Sequence, residues 1–330
     1  MHPLRRKVVT LDGRSGPGSL MLVPGIKYVS VQCPTPVGLW VLGGPELPTA
    51  NVAALVTRTG TRQLTAQGAP VEGHEATPVW HPVYGLLLFG GMTADYTGHA
   101  RVQVFAKPGL VLYTDWNEWA NGTGGGTWQQ LDTLPATQYG PAACMLASGK
   151  VLIAGGTNSA GTVINALAYM FTPGAGFTPI TSIPSLTGYQ GGMYRIPDGR
   201  CVLFMLDLST PKMYAYNPSN NGWTTLTAPT LLGDMMLLGG ALYTSDYTDG
   251  FMVYDPVANT WAAAPQPPRP AMSVPEAGYH SMLYFSAELP TGEWCRFVQV
   301  LHPTTYASIS VYATLYTPAN GHQPLTIPTW

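Results

Sequence analysis

Short apolar runs, each stopped by a glycine or proline turn, recur along the whole chain, and from residue 26 onward they align with one another. Aligned, they form a unit of roughly 40 to 60 residues repeated about six times, the range in which closed rings of supersecondary units fall. Each unit has an apolar strand, a glycine turn, a still more apolar strand that often ends in Gly-Gly, and a strand ending aromatic-x-Pro, followed by another aromatic and a proline. The Gly-Gly pairs are Gly43-Gly44, Gly90-Gly91 and Gly155-Gly156. The aromatic-x-Pro ends are Phe171-Thr172-Pro173, Tyr216-Asn217-Pro218, Tyr254-Asp255-Pro256 and Tyr316-Thr317-Pro318. Trp223 follows Tyr216 and Trp261 follows Tyr254 at the same spacing. Val151-Leu152-Ile153-Ala154 after Ser148-Gly149-Lys150, and Cys201-Val202-Leu203-Phe204 after Pro197-Asp198-Gly199-Arg200, read as hairpins. No stretch carries a sustained helical period, so the class is all-β.

These residues resemble the kelch repeat, whose blades carry Gly-Gly after the second strand, a tyrosine on the third and a tryptophan on the fourth. Leu152 to Gly156, and Met252-Val253-Tyr254-Asp255-Pro256 through Asn259-Thr260-Trp261, are the best stretches, and Tyr279-His280-Ser281 looks like a first strand of that repeat. The fourth and fifth units depart from it: they lack the second-strand Gly-Gly, since Gly239-Gly240 sits at a hairpin turn. In the third unit Phe177 replaces the tryptophan. The resemblance implies a single kelch-type β-propeller of about six four-stranded blades, at approximately 26–70, 75–135, 139–184, 188–229, 233–267 and 278–328. Residues 26–330 form the propeller, and 1–25 are an N-terminal arm or a ring-closing strand. A twisted four-stranded sheet cannot bury both faces alone, so blades pack radially with Trp128, Trp223 and Trp261 in the gaps.

Composition narrows the partners. With 15 basic and 17 acidic residues in 330, only 10% of the chain is charged, against about 25% in an average soluble domain. A net charge of -2 supplies no broad positive field, which argues against nucleic acid and anionic membrane surfaces. Apolar runs such as Leu86-Leu87-Leu88-Phe89 fall far short of the roughly 18 residues that membrane insertion needs. The basic start from Met1 to Lys7 is not followed by the apolar stretch of a signal peptide. Cys33, Cys144, Cys201 and Cys295 form no CxxC pair and are expected as buried free thiols, with no metal and no cofactor.

In a four-stranded meander the turns after strands one and three lie on one face of the disc, and those after strands two and four on the other. The second unit inserts a loop on each face, 92–109 and 114–127. The latter carries Asp115, Trp116, Glu118 and Trp119, whose indoles and hydrogen-bonding groups suit a glycan or a protein hot spot, or else pack down over the blade edge. On the opposite face lie Glu46, Glu72, Asp95, Asp207, Asp246, Asp249 and Glu276 with His74, His99, His302, Arg101 and Arg269, as solvated charges or as convergent acids for sugar chemistry.

Kelch propellers include copper radical oxidases of the galactose oxidase type, and Tyr279-His280 looks like the adjacent tyrosine and histidine of their copper site. That family also needs a second tyrosine cross-linked to cysteine and a histidine from a further domain, so a structural His280 is expected. His2, His81 and His322 form no ligand pair, no G-x-S-x-G elbow is present, and Gly124-Gly125-Gly126 lacks the helix and lysine of a phosphate loop.

The expected function is that of a non-enzymatic interaction propeller, a structural or receptor-binding component of a virion such as a phage tail, spike or capsid-associated protein. Its partners would be other structural proteins of a large assembly and a host-surface glycan or protein. Asp115, Trp116, Glu118 and Trp119 would contact the ligand or receptor, and Arg5, Arg6 and Lys7 would dock a partner. The location would be a virion or the extracellular space, or alternatively the cytoplasm. The alternative function is a carbohydrate-active kelch enzyme, a sugar isomerase or oxidase with its site at the propeller axis.

Overall fold

The computed structural model describes residues 21–22, 26, 28–44, 52–64, 76–92, 98–121, 126–136, 140–157, 166–185, 189–206, 211–230, 235–245, 251–264, 280–301 and 308–316. After β1 (Met21–Leu22), the first blade is β2 (Tyr28–Thr35), β3 (Gly38–Gly44), β4 (Val52–Thr57) and β5 (Gly60–Gln63). The second is β6 (Thr77–His81), β7 (Gly85–Phe89), β8 (Arg101–Ala106) and β9 (Thr127–Thr133), with the helix α1 (Trp116–Asn121) inserted before β9. The third is β10 (Ala142–Met145), β11 (Val151–Ala154), β12 (Ala168–Thr172) and β13 (Gly176–Ile180). The fourth is β14 (Tyr189–Arg195), β15 (Cys201–Leu206), β16 (Lys212–Asn217) and β17 (Gly222–Leu226). The fifth is β18 (Met235–Leu238), β19 (Ala241–Ser245), β20 (Phe251–Asp255) and β21 (Thr260–Ala263). The last is β22 (His280–Glu288), β23 (Trp294–Leu301) and β24 (Ser308–Tyr316).

These strands make six four-stranded antiparallel sheets, and in five of them the strands follow chain order. The sixth runs β1, β24, β23, β22: Met21 pairs with Ala313 and Leu22 with Tyr312, so the N-terminal strand supplies its fourth member. Burial follows position in the blade. Every residue of β3, β7 and β11 is buried, because a second strand has neighbours on both sides and sheets against both faces. The fourth strand β9, at the outer edge, is half-buried or exposed throughout. Six apolar clusters result, one at each junction of neighbouring blades. The cluster between the first and last blades, which includes Leu39, Val41, Phe297 and Val311, closes the ring.

The two glycines at 90–91 and at 155–156 all have positive φ, from 61° to 118°, which explains the pair at those two strand ends, whereas Gly43 and Gly44 lie within β3, paired with Val29 and Tyr28. The tyrosine and tryptophan of the repeat are explained by a polar stitch between blades. In the fourth blade the Tyr216 hydroxyl donates to Asn221 Oδ1 at 3.0 Å, and Trp223 Nε1 donates to the Thr181 carbonyl of the preceding blade at 2.8 Å. In the fifth the Tyr254 hydroxyl donates to Asn259 Oδ1 at 2.8 Å, and Trp261 Nε1 donates to the Thr227 carbonyl at 2.9 Å. The Thr227 amide also donates to Asn259 Oδ1 at 2.9 Å. Both asparagines are left-handed, at φ 52° and 54°, a conformation that asparagine tolerates better than other non-glycine residues.

Asn259→Ala is therefore expected to cost about 2–3 kcal/mol, from two hydrogen bonds at about 1 kcal/mol each and the left-handed backbone. Asn259→Gly removes the same bonds but relaxes the backbone, so it should melt between wild type and Asn259→Ala. Equal melting of the two variants would show that the backbone conformation contributes nothing.

Candidate functional site

The hairpin turns after first and third strands share one face of the disc, here the turn face, and the longest of them is the segment from Lys107 to Gly126. It begins with a tight reversal in which the Lys107 amide donates to the Val111 carbonyl at 2.9 Å. Leu110 in that reversal has φ 59°, and its amide donates to Gln129 Oε1 at 3.2 Å. Lys107 Nζ then donates to both carboxylate oxygens of Glu118 at 3.0 Å and lies 5.0 Å over the Tyr113 ring. Burial pushes the Tyr113 phenol above its ordinary pKa. Asp115 caps α1, its Oδ1 accepting the Asn117 amide at 2.8 Å.

The two tryptophans of the segment turn inward. Trp119 is 2% exposed and joins the apolar cluster between the first two blades, beside Phe105, Tyr113 and Trp40. Trp116 packs edge-on against Trp80, with ring centroids 4.7 Å apart, and its ring lies over Gly85, where a Cβ would come within 2.9 Å of it. A Cβ at Gly126 would meet both Phe105 and Tyr113 at 2.7 Å, so the returning chain fits there only without a side chain. Arg62 of the first blade donates to Asn121 Oδ1 at 2.9 Å and ties the far end of α1 across the blade junction.

Of the four residues expected as ligand contacts, this arrangement leaves Asp115 exposed, Trp116 and Glu118 half-buried and Trp119 buried. Trp119 thus offers no indole face to solvent, and Glu118 is held by Lys107. Arg5, Arg6 and Lys7 lie outside the described residues. Of the charges expected on the opposite face, only His99 and Arg101 are described, and Tyr279 is not. His280 opens β22. Among the described residues no group of three His, Cys, Asp or Glu side chains is placed to hold a metal ion, and no helix is long and apolar enough to cross a membrane.

The turn face exposes aliphatic side chains among polar ones such as Arg58, Asp115, Lys150 and Asn220. Among the described residues the exposed large hydrophobic side chains are Val83, Leu110, Val111, Leu167 and Val257, and all but Leu167 stand in turns of this face. Val257 is 95% exposed, Val83 60% and Val111 56%. Polar bridges between blades hold turns of this face. Arg58 meets Glu293 at 3.0 Å between the first and last blades, and Arg200 Nη2 donates to the Pro256 carbonyl at 3.3 Å between the fourth and fifth.

No family model matches the chain. Kelch-like protein 15 of Danio rerio is 25% identical over 178 residues, covering 43% of this chain and 29% of that protein, and those of Mus musculus and Homo sapiens are 24% identical over the same span. The fold is a β-propeller of six four-stranded blades. Its repeat signature and this match make the blades similar to kelch repeats. The match spans less than a third of the length of these curated relatives. Among solved structures, a catalytically inactive virginiamycin B lyase from Staphylococcus aureus superposes with TM-score 0.53 at 10% identity, covering 92% of this chain and 99% of that one. A putative gluconolactonase superposes at 0.52 and 11% identity, covering 93% and 94%. At such identities the likeness concerns the fold alone.

One residue of the propeller's turn face carries no repeat or motif signal in the sequence. His81 is 5% exposed. Its Nδ1 accepts the amides of Val83 and Tyr84 at 3.1 and 3.0 Å, which leaves Nε2 to donate to the Gly149 carbonyl of the third blade at 3.0 Å. The ring is therefore neutral with both nitrogens used, and burial lowers its pKa below 6.5. Because the unfolded chain takes up this proton more readily, stability is lost as pH falls through 6.5. Melting measured from pH 8 to 5.5 is expected to fall in wild type and to flatten in His81→Gln. Asp198 and Asp255 have lowered pKa values and titrate below 3.8, and Glu288, raised from 4.5 chiefly by burial, would change stability in the opposite direction. Parallel profiles for the two proteins would remove His81 as the cause.

Proposed function

We propose that this propeller is a non-enzymatic interaction protein that docks a protein partner on its turn face, as a structural or receptor-binding component of a virion. The observation that carries the docking face is that four of the five exposed large aliphatic side chains among the described residues stand in its turns, those of Val83 and Val257 tied to neighbouring blades. Val83, Leu110 and Val111 belong to the second blade, beside the segment anchored by Trp116 and Trp119, so rigid apolar tips stand on a fixed base. The β-propeller fold and the likeness to kelch-like protein 15 support the interaction role. The low charge of the chain, 10%, supports permanent contact with neighbouring structural proteins.

The test uses native particles from the source of the chain. Sedimentation should find the propeller in a large particle at fixed copy number, and a free monomer as the sole form would overturn the virion placement. Lysine at Val83, Val111 and Val257 together should leave melting nearly unchanged, since the side chains are exposed, yet abolish incorporation. Leu167→Lys, on the other face, should incorporate normally. Incorporation of the triple variant would overturn the docking face.

A further inference from the structure

Two of the four cysteines, far apart in sequence, meet inside the ring. Cys144 lies on β10, the first strand of the third blade, and Cys201 on β15, the second strand of the fourth. Both belong to the apolar cluster between those blades, at 5% and 0% exposure, and their sulfurs are 2.7 Å apart across 57 residues of sequence. A thiol–thiol hydrogen bond of ordinary length would keep the sulfurs about 1 Å further apart, whereas a covalent pair requires about 2.05 Å, so this separation is nearer a bond than a contact. Cys33 and Cys295 are buried in two other clusters, at other blade junctions.

We propose that Cys144 and Cys201 form a disulfide that joins the third and fourth blades when the chain meets a small-molecule disulfide such as oxidised glutathione. One cysteine thiolate attacks a sulfur of the oxidant, forming a mixed disulfide and releasing one glutathione thiolate. The second cysteine thiolate then attacks the protein sulfur of that mixed disulfide, forming the Cys144–Cys201 bond and releasing the second glutathione. The two cysteines are together oxidised by two electrons, glutathione disulfide is reduced to two thiols, and the two thiol protons end on the glutathione sulfurs. Burial holds the Cys144 thiol well above its ordinary pKa, so exchange waits on local opening of the blade junction. The bond, once made, is shielded by the same packing. It also closes a long loop, which restricts the unfolded chain more than a short loop would.

The test incubates the full chain with oxidised glutathione just below its melting midpoint, then denatures it in an alkylating reagent and measures intact mass and linked peptides. Two of the four cysteines should escape alkylation, the mass should show no retained glutathione, and the peptide carrying Cys144 should be linked to that carrying Cys201. Cys33→Ser should keep the link, while Cys144→Ser and Cys201→Ser should each leave all three remaining cysteines alkylatable or capped by glutathione. Cross-linked wild type should melt about 5 °C higher than the reduced protein. Four alkylated cysteines in the treated wild type, a link through Cys33 or Cys295, or unchanged melting of the cross-linked protein would overturn the proposal.

Discussion

Trp119→Ala should lower stability by about 3–5 kcal/mol, as expected when a buried aromatic is cut back to a methyl. The ring that would be lost is 2% exposed, lies 6.0 Å from Trp80 and 6.4 Å from Phe105, and fills the junction of the first two blades from the side of the inserted segment. Polar ties at either end cannot hold the segment in its place without it. The Lys107–Glu118 pair is about one-third exposed and the Arg62–Asn121 hydrogen bond is exposed, and such bonds contribute at most about 1 kcal/mol each. The melting midpoint should therefore drop by about 5–10 °C, and exchange protection in α1 should disappear before that of β7. Trp119→Phe should recover much of the loss. Should Trp119→Ala melt like wild type while losing partner binding, the side chain would be a contact residue and the buried placement would be refuted.

The same tryptophan shows where a sequence can be read and where it stops. The blades were legible because their signals are local and repeated: second strands apolar on both faces, glycine pairs where second strands end, and tyrosine and tryptophan at constant spacing. The polar stitch had a signal as well, in Asn221-Gly222-Trp223 and Asn259-Thr260-Trp261, because the shared Asn-x-Trp spacing places each asparagine in the turn before its tryptophan. The inserted segment has no second copy to align with. Trp-Asn-Glu-Trp reads equally as an exposed aromatic patch or as a one-sided anchor, and only the side chains of β6 and β8 beneath it decide. His81 has no periodic signal because its partner, the Gly149 carbonyl, lies on another blade 68 residues away. Likewise, Cys144 and Cys201 occupy different positions in their blades, so no repeat aligns them, and their meeting depends on the ring itself.

Removal of residues 1–22 should leave a chain that expresses but aggregates. Without β1, strand β24 presents an open row of backbone donors and acceptors at the outer edge of the last sheet, and an unpaired edge of that kind recruits strands from other molecules. The loss also loosens the ring where its two ends meet, because β1 comes to that sheet from the opposite end of the chain to β22, β23 and β24. Melting should fall by about 5 °C or more, with light scattering rising at the transition. A shorter deletion, of residues 1–18, removes Arg5, Arg6 and Lys7 but keeps Met21 and Leu22 for pairing with Tyr312 and Ala313. It should melt closer to the full chain than the 1–22 deletion does and stay free of aggregation, yet fail to enter the native particle if the basic residues dock the partner. The pair of deletions separates the two roles of the N-terminal segment. Wild-type melting of both would show that β1 closes nothing, and wild-type incorporation of the shorter one would remove the basic residues from docking and leave the turn face as the site of contact.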